Sequence, residues 1–107
     1  MRDLSALPDL NIALVQTTLA WHDRQANLKH FESLLEQAGG ADLIVLPEMF
    51  TTGFSMESQL LAEAENGPTH EWLKTQAQKY GAVITGSVII QAADGSHRNR
   101  LFWARPD

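Results

Sequence analysis

Residues 42–48 read Asp42-Leu43-Ile44-Val45-Leu46-Pro47-Glu48, four large aliphatic side chains in a row between a carboxylate and a proline. A run this short, continuously apolar and rich in branched residues suits a strand of a parallel sheet, buried on both faces. Pro47 has no amide hydrogen to give a ladder, so regular pairing fades there and Glu48 is delivered just past the strand's carboxyl end. Upstream, Leu10 to Gln16 is a second short apolar run, set off by Pro8-Asp9, and it reads as the preceding strand, also buried. Between the two the period changes. Leu28, Phe31, Leu34, Leu35 and Ala38 recur at spacings of three and four within Asp23 to Ala38, while Lys29, Glu32 and Glu36 fall off that stripe, which predicts an amphipathic helix. Asp23 suits the N-cap, because its carboxylate can accept bonds from free first-turn amides, and Gly39-Gly40 supplies a left-handed exit. Strand, helix and strand with short turns form a βαβ unit, with parallel strands and a right-handed crossover.

Downstream, Met49 to Gly67 reads as loop, with one or two helical turns between Ser58 and Glu65. Pro68 or Thr69 opens a second helix carrying Trp72, Leu73, Ala77 and Tyr80, which Gly81 closes. Ala82 to Ile90 is a third strand, Ala93-Asp94-Gly95-Ser96 a turn, and Arg98 to Arg105 a fourth strand in a hairpin with the third. On that last strand Asn99, Leu101 and Trp103 alternate with Arg98, Arg100 and Phe102, giving two differently furnished faces. Trp72, Tyr80 and Trp103 are assigned to the core. The order β-α-β-α-β-β is an α/β fold with a mixed sheet. Pro106-Asp107 reads as the first half of a tight turn, so the break is expected inside a domain.

The chain has 107 residues, with 8 Lys and Arg against 13 Asp and Glu for a net charge of −5, so it carries no basic footprint for nucleic acid or anionic membranes. It has no cysteine, hence no disulfide, no thiolate ligand and no thiol nucleophile. Asp3 and Pro8 interrupt what a signal peptide would keep apolar, and no stretch approaches the roughly 20 apolar residues of a membrane span, so a cytoplasmic location is expected. His22, His30, His70 and His97 form no tight ligand pair; no metal or other cofactor is expected, and they read as surface histidines. Gly81 to Ser87 lacks the lysine of a phosphate loop and lies in a strand. No serine sits in a Gly-x-Ser-x-Gly elbow.

Glu48 is the most informative ionisable group. In open α/β sheets ligands collect beyond the carboxyl ends of parallel strands. A carboxylate held there by Leu46-Pro47 near Met49, Phe50 and Phe54 would be driven toward its neutral form by burial, which suits a general base. The plainer reading, a carboxylate that only accepts bonds from loop amides, stays open on position alone. The loop Phe50-Thr51-Thr52-Gly53-Phe54-Ser55-Met56 either shapes a small pocket or is tucked onto the core by its aromatics. Arg98 and Arg100 read as a solvated strand edge.

Residues 42–50, followed by Thr52-Gly53-Phe54, Gly86-Ser87 and Asn99-Arg100-Leu101, resemble the amino-terminal part of the nitrilase, or carbon–nitrogen hydrolase, superfamily. The run from Pro47 to Met56 is especially similar to its ω-amidase branch. The resemblance implies an α-β-β-α sandwich, of which these residues are the amino-terminal half, and a homodimer of the full-length protein. It implies hydrolysis of a small-molecule amide, an α-keto acid ω-amide, by a Glu, Lys and Cys triad through a thioester, without cofactor. It places Glu48 as general base, and it makes substrate-binding residues of Phe54, with its neighbours in the pocket lining, and of Asn99, on the strand before the catalytic lysine. The chain departs from that pattern in one respect. Lys29, Lys74 and Lys79 all precede the last strand and cysteine is absent, so residues 1–107 read as part of a single hydrolase domain, ending before the Lys and Cys and inactive alone. The alternative is a non-catalytic α/β fragment or pairing module, drawn to another polypeptide by apolar strand edges such as Ala82 to Ile90. A flavodoxin-like nucleotide binder fits less well, since Thr17-Thr18-Leu19-Ala20 stands where a glycine-rich turn is needed.

Overall fold

The computed structural model describes residues 8–107; Asp3 lies outside them. In chain order the elements are β1 (Ile12–Leu14), α1 (Arg24–Leu35), a 3-10 turn (Glu36–Ala38), β2 (Leu43–Val45), α2 (Ser58–Leu61), β3 (Glu63–Ala64), α3 (Pro68–Tyr80), β4 (Val83–Gln91) and β5 (His97–Ala104). Asp23 caps α1 as the sequence predicts, its carboxylate accepting from the Ala26 amide at 3.0 Å. Gly81 closes α3 in the left-handed region, at φ 60°.

β1, β2 and β4 pair in parallel, Ile12 beside Leu43 and Leu43 beside Val83. β5 runs antiparallel along β4 from Ile84 to Gln91. β3 also pairs with β4, in parallel at Glu63–Ile90 and Ala64–Gln91. Since β5 fills one edge of β4, β2 and β3 share the other, one at each end, and that edge is unpaired by strand opposite residues 86–89. The strand β3 is an addition to the predicted order. Two residues carry too little alternation to be read as a strand, and Glu63 is buried by other means: its carboxylate accepts from the Thr69 amide at 2.9 Å and pairs with Arg24 at 3.0 Å.

The two faces of the sheet differ. Ile44, Ile84, Val88 and Ile90 point toward α1 and α3 and pack with Phe31, Leu35, Phe50, Leu73 and Ala77. On the other face Ile12, Leu14, Leu101 and Trp103 are 52%, 76%, 68% and 57% exposed, and among the described residues no helix covers them. One helical layer on one sheet with a bare apolar reverse is half of an α-β-β-α sandwich. Four expectations are corrected by this geometry. β1 is not a buried strand, since Ile12 and Leu14 stand on the open face. β2 is buried on one face only, with Leu43 and Val45 half-buried on the open side. Trp103 lies on that open face and not in the core. Ala82 to Ile90 is not an open strand edge, because β5 lines one side of β4 and β2, β3 and the Met49 and Phe50 amides at Ser87 occupy the other.

Gly86 is required by a close approach. A Cβ there would lie 2.9 Å from Phe50 Cδ1 and 3.1 Å from Leu46 Cβ. Gly86→Ala is therefore expected to destabilise the protein by about 1–3 kcal/mol through overpacking; denaturant unfolding checks this, and an unshifted midpoint would contradict it. The open face generates a second prediction. The isolated chain self-associates, and replacing Leu14 and Trp103 together with lysine weakens that association in sedimentation velocity; equal association of both forms would exclude the sheet face as its cause.

Candidate functional site

The site begins where β2 leaves β4. The Leu46 amide gives the last ladder bond to β4, at the Thr85 carbonyl, 2.8 Å away, and Pro47, next in line on the β1 side, has no amide hydrogen to give. The chain is recaptured two residues on: the Met49 amide donates to Ser87 Oγ at 2.8 Å and the Phe50 amide to the Ser87 carbonyl at 3.3 Å. Closing that short gap forces Met49 into the left-handed region, at φ 49°, an arrangement that costs a non-glycine residue about 1–3 kcal/mol. Phe50 then inserts under the sheet, edge-on to Phe31 with ring centres 5.4 Å apart. Glu48 is thus clamped between two anchored neighbours.

Its carboxylate reaches across β4 toward β5, where Glu48 Oε1 accepts from Asn99 Nδ2 at 3.4 Å, a long bond. The two side chains line one cavity of about 260 Å³ with Leu46, Thr85, Ser87 and Leu101. Sequence-predicted Glu48 and Asn99 are therefore brought together. Phe54 is not part of that lining; it is 63% exposed on its loop. The expected dry setting of Glu48 is also corrected, since the residue is exposed and the cleft is walled only by the sheet and the loop after β2. Of its expected apolar neighbours, Met49 and Phe50 are buried. Met49 packs with Leu61 and Ile89, whereas Phe50 belongs to the helix-side core.

The loop 50–56 is held from the side of residues 20–27. Asn27, 1% exposed on the inner face of α1, accepts from the Ala20 amide at 2.7 Å and donates to the carbonyls of Ala20 at 2.8 Å and Thr51 at 2.7 Å. His22, itself left-handed at φ 57°, has Nε2 2.8 Å from Ser55 Oγ and Nδ1 3.5 Å from Glu57. Gly53, at φ 85°, lies so close to Trp21 that a Cβ would meet its ring at 2.8 Å. The loop is consequently both pocket wall and core plug: Phe50 is buried, Phe54 and Met56 are outside.

β5 is placed by the turn before it. Asp94 accepts from the Ser96 amide at 2.9 Å and from its hydroxyl, and the hydroxyl bond is the main reason its carboxyl group stays below the usual carboxylate range. Arg98 reaches Asp94 at 3.7 Å, and Arg100 is half-buried against Glu65 at 3.1 Å, so that arginine is more than a solvated edge. His97 likewise departs from its surface reading: it is half-buried, with Nδ1 2.9 Å from Ser58 Oγ. His22 and His70 are half-buried too, while His30 is exposed and bonded to Thr17. No group of three or more His, Cys, Asp or Glu among the described residues is placed to hold a metal ion. No helix among them is long and apolar enough to cross a membrane.

Sequence reasoning did not foresee that Ser87 captures the Met49 amide, and it missed Asn27, which joins two loops. For Asn27 the signal was available, as one polar residue a turn before Phe31 and two before Leu35 on the buried side of α1.

Comparison with known proteins follows this geometry closely. The family model described as carbon-nitrogen hydrolase matches residues 11–106. The chain belongs to the carbon-nitrogen hydrolase family. Among relatives of this family, it is 44% identical over 100 residues to the omega-amidase YafV of Escherichia coli strain K12, covering 94% of this chain and 38% of that protein. It is 31% identical over 83 residues to the 2-oxoglutaramate amidase of Bacillus subtilis, covering 75% of this chain and 32% of that one. A solved CN-hydrolase superfamily protein from Xanthomonas campestris, with an arsenic adduct in its active site, superposes with TM-score 0.88 at 46% identity, covering 94% of this chain and 38% of its own. The chain thus spans about 38% of the length of its omega-amidase relatives.

Ser87→Ala leaves the Met49 amide buried without its acceptor, and a loss of about 1–3 kcal/mol is expected on denaturant unfolding. Stability equal to the parent would mean that the hydroxyl does not hold this backbone.

Proposed function

We propose that this chain is the amino-terminal part of a hydrolase that releases ammonia from a small ω-amide of the α-keto acid type. In this reading Glu48 is the general base for a cysteine thiol carried by the remainder of the full-length protein. The observation that carries it is the carboxylate itself, projected from a broken strand end into an open cleft beside Asn99. The 44% identity with an omega-amidase supports the substrate class.

The chemistry follows from what each group can do. The carboxylate takes the thiol proton as sulfur attacks the amide carbon, and returns it to the departing nitrogen as ammonia leaves the thioester. Water activated by the same carboxylate then hydrolyses that thioester, freeing the acid and the thiol. A lysine from the missing length stabilises the oxyanion of both steps. Asn99 orients the carboxylate, and Phe54 joins the pocket wall once the rest of the protein covers the open face. The homodimer and the cytoplasmic setting belong to the same reading.

Without a cysteine, residues 1–107 alone are expected to release no ammonia. In the full-length protein, Glu48→Gln is expected to lower kcat/KM for an ω-amide by about 10²–10⁴-fold, the usual contribution of a general base. Undiminished turnover in that variant would remove Glu48 from the role. A second reading, a non-catalytic module that works by pairing, is favoured by the bare apolar sheet face. It would prevail if the full-length protein lacked the Lys and Cys.

A further inference from the structure

Beside the Glu48 cleft lies a second cavity, of about 150 Å³, that the chemistry above does not use. Asn99 lines both, so the two spaces meet at one side chain. The floor of the second is apolar, built by Met49 and Ile89, which are 7% and 3% exposed and pack with Leu61. Its polar groups are Ser55, Ser58 and His97. Ser58 Oγ lies 2.9 Å from His97 Nδ1 and fixes the ring, leaving Nε2 as the nitrogen able to meet a ligand. Arg98 also borders the cavity, but its guanidinium is engaged by Ser96 at 3.2 Å and Asp94 at 3.7 Å.

His97 and Asn99 stand on the same face of β5, opposite Gln91 and Ile89, which sets them about 6.8 Å apart along the strand. That spacing matches the reach of a short dicarboxylic chain whose amide end lies by Asn99 and Glu48. We propose that the second cavity is the subsite for the distal carboxylate of the substrate, with His97 as the group that binds it. The inference rests on the reading of Glu48 as the base. With Nδ1 held by Ser58, Nε2 donates to the carboxylate, while the methylenes of the substrate lie on Met49 and Ile89. Charge-assisted bonds of this kind are among the stronger ones, and the apolar floor strengthens them further.

The test compares, in the full-length protein, a dicarboxylic monoamide with the same amide whose distal carboxylate is a methyl ester. The ratio of their kcat/KM values is expected to fall about tenfold or more in His97→Ala, mainly through KM for the acid, as loss of one charge-assisted bond requires. Ser58→Ala should give a smaller fall in the same direction, and His97→Gln, which keeps an N–H donor, should recover part of the loss. A ratio that holds at the parental value in His97→Gln and Ser58→Ala, or that falls through kcat alone, overturns the proposal; those two variants also carry the test if His97→Ala does not fold. Glu48→Gln separates the two ideas. Full activity there defeats the base reading, whereas an inactive Glu48→Gln with an unchanged ratio in the His97 and Ser58 variants defeats only the subsite.

Discussion

The end of the β2 ladder at Pro47 governs this molecule. A strand that continued beside β4 would bury Glu48 in regular pairing or turn it outward; a strand that simply ended would leave it on a mobile loop. Instead the backbone skips one donor and is recaptured by Ser87 through both its hydroxyl and its carbonyl. The distorted residue is Met49, not Glu48, so the carboxylate sits next to a stored strain without bearing it. Gly86 is part of the same device, because only a missing side chain lets Phe50 come up under the sheet at that point.

Around this gap the fold supplies two supports of different kind. Helix-side packing of Phe31, Leu35, Phe50 and Leu73 fixes β2 and β4 rigidly. The loop after Glu48 is fixed by polar means, through the three bonds of Asn27 and the contact of His22 with Ser55. Polar restraint suits a segment that must stay near the surface, where apolar packing has fewer partners. The reverse face of the sheet has no such support among the described residues, and its exposed aliphatics leave an apolar surface there.

Much of this was readable from residues alone. The period change at Asp23, the cap itself, Gly81 and the hairpin all follow from local rules, and the structure places them within a few residues. What escaped was set by long-range geometry. The strand β3 is two residues long and exists only because β4 offers an edge there. Trp103 resembles a core residue in composition, but alternation along β5 puts it on the uncovered face. Glu48 and Asn99 are 51 residues apart in sequence, and their meeting depends on the register Ile89–Asn99, which no local pattern specifies. The exposure of Glu48 has the same origin, since burial of a strand end is decided by what lies opposite it.

The most direct measurement is the separation between the Glu48 carboxylate and the proposed cysteine sulfur in an experimental structure of the full-length protein. An oxygen within about 3.5 Å of that sulfur, or joined to it by one water, is the expected result for a working base. A carboxylate turned away from the sulfur, with another acid or a histidine in its place, would contradict the role given to Glu48.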